Sequence, residues 1–186
     1  CGLCEQRYHG VVLCALGWAC WKTYVGRPET DVARNGAMHQ LGIGLHEAGR
    51  HEDALSVREA ELAMKRRLGV PEENLLGTQS NLAVSYTKLG RSEQALRMKR
   101  DVYSGCLKLY GEEHGKTLLA ANNYANALIQ HKRFKESKSV LRKTMPVARR
   151  VLGDNHEVTL NMRQNYTRAF YKDPAATLDD LRGAMT

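Results

Sequence analysis

The sequence predicts an all-α fold, a right-handed solenoid of antiparallel helix pairs. Three observations carry this. A small residue recurs at Gly42, Ala83 and Ala125, a second at Ala54, Ala95 and Ser137, and a glycine at Gly69, Gly111 and Gly153, each row spaced 41 or 42 residues. A period near forty with two helices per unit marks a helical array. Apolar residues step by three and four between these markers, which is helical spacing. Finally, two Phe, two Trp and four Pro among 186 residues suit small-residue helix packing better than a β-sandwich.

The clearest unit is Thr78–Gly111. Leu82, Tyr86 and Leu89 share one face of a first helix. Gly90 breaks that periodicity, because glycine accepts the positive φ that ends a helix, and Ser92 can cap the next one. Ala95, Met98, Val102, Cys106 and Leu109 form the second apolar face, closed by Gly111. Neither helix can bury its face alone, so each pair needs neighbours.

In chain order, residues 11–30 read as a degenerate half-repeat cap. Its single helix ends at Gly26, and Trp18 and Trp21 are expected to pack on Met38, Leu41 or Leu45. Cys14 and Cys20 read as small apolar residues on a helix buried on two sides. Thr30 or Asp31 can cap the second helix of the chain. Repeats are then expected at 31–73, 74–115 and 116–157, with a partial unit at 158–171 that places Leu160, Met162, Tyr166 and Phe170 in frame. Pro146 lies inside a second helix, where it removes a hydrogen bond and predicts a kink near Thr144. Residues 172–186 read as a tail or the start of a further helix, capped at Thr177. At the junction of the second and third repeats, Ala95, Cys106 and Leu109 are expected to face Leu118, Ala121, Ala125 and Leu128.

Leu-small-x-x-Tyr in the first helix, Gly-Arg at the turn and Ala opening the second helix resemble tetratricopeptide repeats. The 42-residue period is longer than the usual unit. With the Gly-x-x-His loops in GEEHGKTLLAANNYA (Gly111–Ala125) and GDNHEVTLNMRQNYT (Gly153–Thr167), it looks like the repeats of kinesin light chains. The resemblance covers about Asn35 to Tyr171. It implies a concave groove lined by the first helix of each unit. The heptad region and motor-binding segment of kinesin light chains are not visible.

Charged residues make up 26% of the chain and hydrophobic residues 42%, ordinary for a globular protein. The net charge of +8 favours acidic partners, although it is equally the mark of a solvated face rich in Lys and Arg. No run of eighteen apolar residues occurs, so no membrane span or membrane partner is expected and the location defaults to the cytoplasm. The chain opens on Cys rather than Met and reads as a fragment.

Four of five cysteines precede Trp21. Cys1-x-x-Cys4 has the spacing of a zinc knuckle, and CGLCEQRYHG resembles the last cysteine pair of a RING-like finger whose other ligands lie upstream. Two unliganded thiols at a terminus is the alternative, so Zn enters only with an upstream finger. There is no phosphate loop, nucleophile elbow or helical His pair, and no enzyme is expected. His114 and His156, three residues past their glycines, belong to the turns between repeats.

Gln40, Asn81, Asn123 and Asn165 stand in register, two residues before the small position, with Asn122 and Asn126 beside Asn123. The resemblance implies that asparagines here bond the backbone of an extended peptide, for which an amide offers both donor and acceptor. Bridging of neighbouring helices is the other reading. Lys88 and Arg168, with Lys172, would add positive potential. The expected function is a protein-interaction scaffold for an acidic or extended peptide. The alternatives are the substrate-binding part of a RING-type ubiquitin ligase and, ranked last because such repeats are shorter, an RNA-binding helical repeat.

Overall fold

The structure, a computed structural model, describes residues 9–177. Among them lie eight helices: α1 (Gly10–Tyr24), α2 (Val32–Glu47), α3 (His51–Arg67), α4 (Glu72–Lys88), α5 (Ser92–Tyr110), α6 (Gly115–Gln130), α7 (Phe134–Leu152) and α8 (Glu157–Tyr171). No strand occurs among the described residues. The chain divides into two compact units, residues 1–95 and 96–186.

Local chemistry sets the helix ends. At the three turns that follow α2, α4 and α6 the same pair of bonds closes the outgoing helix. Arg50, Arg91 and Arg133 donate their N–H to the carbonyls of Leu45, Tyr86 and Leu128, while Gly49, Gly90 and Lys132 bond those of His46, Thr87 and Ile129. This is the Schellman arrangement, which needs a left-handed residue just past the helix. Gly49 and Gly90 supply it at φ 75° and 70°, and Lys132 adopts φ 57° without glycine's freedom. Asp31 caps α2, accepting from the Arg34 N–H. His114 and His156 cap α6 and α8 through Nδ1, accepting from the N–H of Lys116 and Val158. Their place after the glycines is thus a capping role. Helix α7 runs unbroken through Pro146, whose ring lies on the exposed side.

In the first unit α1 packs on α2, α2 on α3 and α3 on α4. Cys14, Leu41, Leu45 and Ala54 form one buried cluster of its core, with Trp21 against it. Trp18 departs from expectation at 37% exposed, and Cys20 is exposed rather than buried. Both sit at the edges of the face centred on Cys14, Gly17 and Trp21. Among the described residues of this unit α2 is the helix that α1 packs on, so burial reaches one side of it and not two.

In the second unit Leu118, Ala121, Ala125, Leu141, Ala148, Met162, Tyr166 and Phe170 form one core from α6, α7 and α8. Leu96 on α5 packs with Tyr124, Ala127 and Leu128. The small positions do what their size allows. Ser137 meets α6 closely enough to donate its hydroxyl to the Ala125 carbonyl at 3.0 Å. Thr117 donates to the carbonyl of Cys106 at 3.1 Å, so Cys106 sits buried beside α6 as its spacing predicts. Leu109 does not, being 43% exposed, and Leu160 is exposed as well. Leu109 lies beyond Cys106, the last buried position of α5, and Leu160 lies one residue past buried Thr159, about 100° round the helix from it.

Candidate functional site

The first helix of each repeat carries the amides that the sequence singles out. In the second unit α6 brings Asn122, Asn123 and Asn126, and α8 brings Asn165 and Arg168. Asn165 Nδ2 donates to Asn122 Oδ1 at 2.8 Å, and both residues are buried. Arg168 Nη2 donates to Asn165 Oδ1 at 2.8 Å and also to Asn126 Oδ1. Asn122, Asn126, Asn165 and Arg168 therefore form one bridge between α6 and α8, with Asn122 and Asn165 as its floor. Asn126 and Arg168 form its half-exposed upper edge, and Asn123 stands half-exposed beside it.

Arg168 is the chemically active member. Its two bonds go to neutral amides, its Nε is buried with no partner among the described residues, and no carboxylate there pairs with it. A guanidinium held by neutral groups keeps its full charge and its planar donor fork, which suits a carboxylate.

The remaining predicted residues lie in the first unit. Gln40 on α2 and Lys88 near the end of α4 are exposed, and Asn81 on α4 is half-buried. The Asn81 carbonyl is taken by Arg58, whose Nη1 donates to it at 2.9 Å and to Ser85 Oγ at 2.6 Å. Cys1 and Cys4 lie outside the described residues. No group of three or more His, Cys, Asp or Glu placed to share a metal ion occurs among the described ones. No described helix is long and apolar enough to cross a membrane.

A polar line on α3 is not evident from the sequence. Arg58, Glu61 and Lys65 are spaced three and four apart and face inward. Glu61 is buried, takes the Lys65 ammonium at 2.5 Å and lies 3.3 Å from His39 Nδ1, while Lys65 also donates to Thr78 Oγ1 at 2.8 Å. Burial works to raise the Glu61 carboxyl pKa. The bonds from His39 and Lys65 outweigh it and hold the group below its ordinary value. Burial lowers Arg58, against the pull of Glu61, but an arginine stays charged. The signal was the helical spacing of charges at 58, 61 and 65, which continues the row of the small residue Ala54 along the face that α3 buries. In the next repeat the corresponding positions are Lys99, Val102 and Cys106. Lys99 has lost the serine facing its predecessor, since Ala127 replaces Ser85 in register, and burial lowers its pKa.

Residues 74–147 match the family described as tetratricopeptide repeat. No curated protein sequence matches the chain. Among solved structures, the nearly identical TPR-like repeats of a kinesin light chain-like protein from Podosopora anserina superpose with TM-score 0.72 at 20% identity, over 94% of this chain and 84% of that one. A single-substitution variant of that protein gives 0.74 at 19%, over 94% and 80%. BtubC (BKLC) from P. vanneervenii gives 0.76 at 18%, over 93% and 69%. At such identities the likeness is one of fold, and it is the fold of kinesin light chain-like tetratricopeptide repeats.

Proposed function

We propose, from the tetratricopeptide repeats that this chain carries, that it is a protein-interaction scaffold whose first helices bind an extended, acidic peptide. The repeats 31–73, 74–115 and 116–157 and the partial unit 158–171 are its building blocks. The single observation behind the acidic preference is Arg168, a half-exposed guanidinium positioned by Asn126 and Asn165 and lacking a carboxylate among the described residues. Asn122 in turn accepts from Asn165 and so fixes the amide on which Arg168 rests. Asn123 and Asn126 offer amides to a peptide backbone, while Gln40, Asn81 and Lys88 serve the corresponding helices of the first unit. Cys14, Cys20 and Cys106 are free thiols, which suits a reducing, cytoplasmic compartment.

Fluorescence anisotropy with a labelled Glu-rich peptide and its Gln isostere tests this. The acidic probe should bind more tightly, more weakly as salt rises, and at least tenfold more weakly to Arg168→Gln. Equal binding of the two probes, or an unchanged affinity in Arg168→Gln and Asn123→Ala, ends the reading.

A further inference from the structure

One helical turn beyond Asn126 and Arg168, the second unit holds an open cleft of about 740 Å³. Its walls are the end of α6 (Ile129), the turn into α7 (Lys132, Phe134) and the end of α8 (Tyr171, Lys172, Asp173). Tyr171 is 83% exposed, a large aromatic surface beside the half-buried Phe134. The cleft has one acid, Asp173, and that is already neutralised: Lys138 Nζ lies 2.7 Å from its Oδ2, with both side chains largely buried. The two lysines Lys132 and Lys172 form no ion pair among the described residues. Lys132 moreover occupies a left-handed position, φ 57°, where the equivalent turns place Gly49 and Gly90. The cheaper residue for the turn is glycine. Lysine there sets a charge on the rim of the cleft at a backbone cost.

We propose that this cleft is a docking site for an acidic peptide segment, with a carboxylate between Lys132 and Lys172 and a neighbouring aliphatic side chain laid on Tyr171 and Phe134. The proposal rests on the acidic character of the partner proposed for the α6 and α8 site, but its residues are different ones. Positive rim, spent internal acid and exposed aromatic wall together select an anionic, partly apolar occupant over a cationic or wholly polar one.

The probe is a labelled twelve-residue peptide of alternating Leu and Glu, measured by anisotropy on the full chain against its Leu-Gln isostere. Lys132→Gly removes the charge while suiting the backbone, and Lys172→Gln and Tyr171→Ser lie on the surface, so all three should fold, which circular dichroism checks. Each is expected to weaken the Leu-Glu probe about threefold to tenfold; the two lysine variants leave the Leu-Gln probe unchanged, whereas Tyr171→Ser, which removes the apolar wall, weakens that probe as well. Loss in Arg168→Gln with no loss in the three cleft variants overturns the cleft alone. Loss in the cleft variants with none in Arg168→Gln supports the cleft and overturns the site on α6 and α8. A chain ending at Thr177 that binds the probe tenfold more tightly means that residues 178–186, with Asp179 and Asp180, are the occupant, and overturns the external partner.

Discussion

Gly44 of α2 lies against the backbone of Cys14 on α1, so close that a β-carbon on Gly44 would stand 2.8 Å from Cys14 Cα and 2.6 Å from the Leu13 carbonyl oxygen. Gly17 makes the reciprocal approach, where a β-carbon would stand 3.0 Å from Leu41 Cα. Two glycines let α1 and α2 touch through their main chains, and backbone cannot swing aside as a side chain can.

Gly44→Ala should therefore destabilise the chain by about 1–3 kcal/mol, the usual cost of overpacking. Gly36→Ala, in the same helix with nothing within 4 Å of the added methyl, should stabilise it by roughly 0.5–1 kcal/mol through helix propensity. Urea denaturation of the two variants makes the comparison. Equal effects of the same sign would mean that α1 does not seat on α2 at this depth.

Glu61 links stability to pH. Its carboxyl is pushed up by burial, yet the hydrogen bonds from His39 and Lys65 hold it below its ordinary 4.5. A carboxyl lowered on folding contributes stability that is present above the unfolded value and lost as pH falls through the folded one. Wild type should thus lose stability from about pH 4.5 downward more steeply than Glu61→Gln. At neutral pH the variant should already be weaker by about 2–3 kcal/mol, because Lys65 is left mostly buried without its counter-charge. Denaturation midpoints between pH 3 and 7 settle it, and parallel curves for the two proteins would rule the linkage out.

The repeat register was legible because packing enforces it. Leu45, Tyr86, Leu128 and Phe170 fill the same core position in four successive first helices and all are buried. The turn glycines and capping histidines were legible because backbone geometry admits few residues there. The α3 line was not, since Arg58, Glu61 and Lys65 resemble a solvated face until a partner helix is known to cover them. For the same reason Asn122 and Asn165 could be read as open amides: an alignment of polar residues does not say which of them spend their hydrogen bonds on each other. The exposure of Trp18, Cys20 and Leu109 depends on which helix sides find a neighbour, and periodicity alone does not count neighbours.

Thiol chemistry reports that same distinction. Burial raises the Cys106 pKa, against a smaller opposing effect of Lys116, so its thiolate is scarce as well as shielded. In a chain with Cys1 and Cys4 changed to Ser, Cys20 should label quickly under native conditions and Cys14 and Cys106 slowly, with all three equal in denaturant. Leu109→Ala should then cost under about 1 kcal/mol, whereas Leu118→Ala, fully buried, should cost about 2–5 kcal/mol. Rapid labelling of Cys106, or a larger loss at Leu109 than at Leu118, would displace the α5 seam.

Lys132 gives the last prediction. A non-glycine residue in the left-handed region costs roughly 1–2 kcal/mol, and glycine returns part of that gain through its greater freedom in the unfolded chain. Lys132→Gly should consequently raise stability by about 0.5–1 kcal/mol, while Gly90→Ala at the equivalent turn should lower it by a similar amount. The side chain of Lys132 makes no ion pair among the described residues, so the backbone term faces no loss of a salt bridge. A thermal melt that shows Lys132→Gly less stable than wild type would mean that the lysine holds the turn through a contact of its own. In that case its left-handed backbone would no longer speak for a role at the cleft.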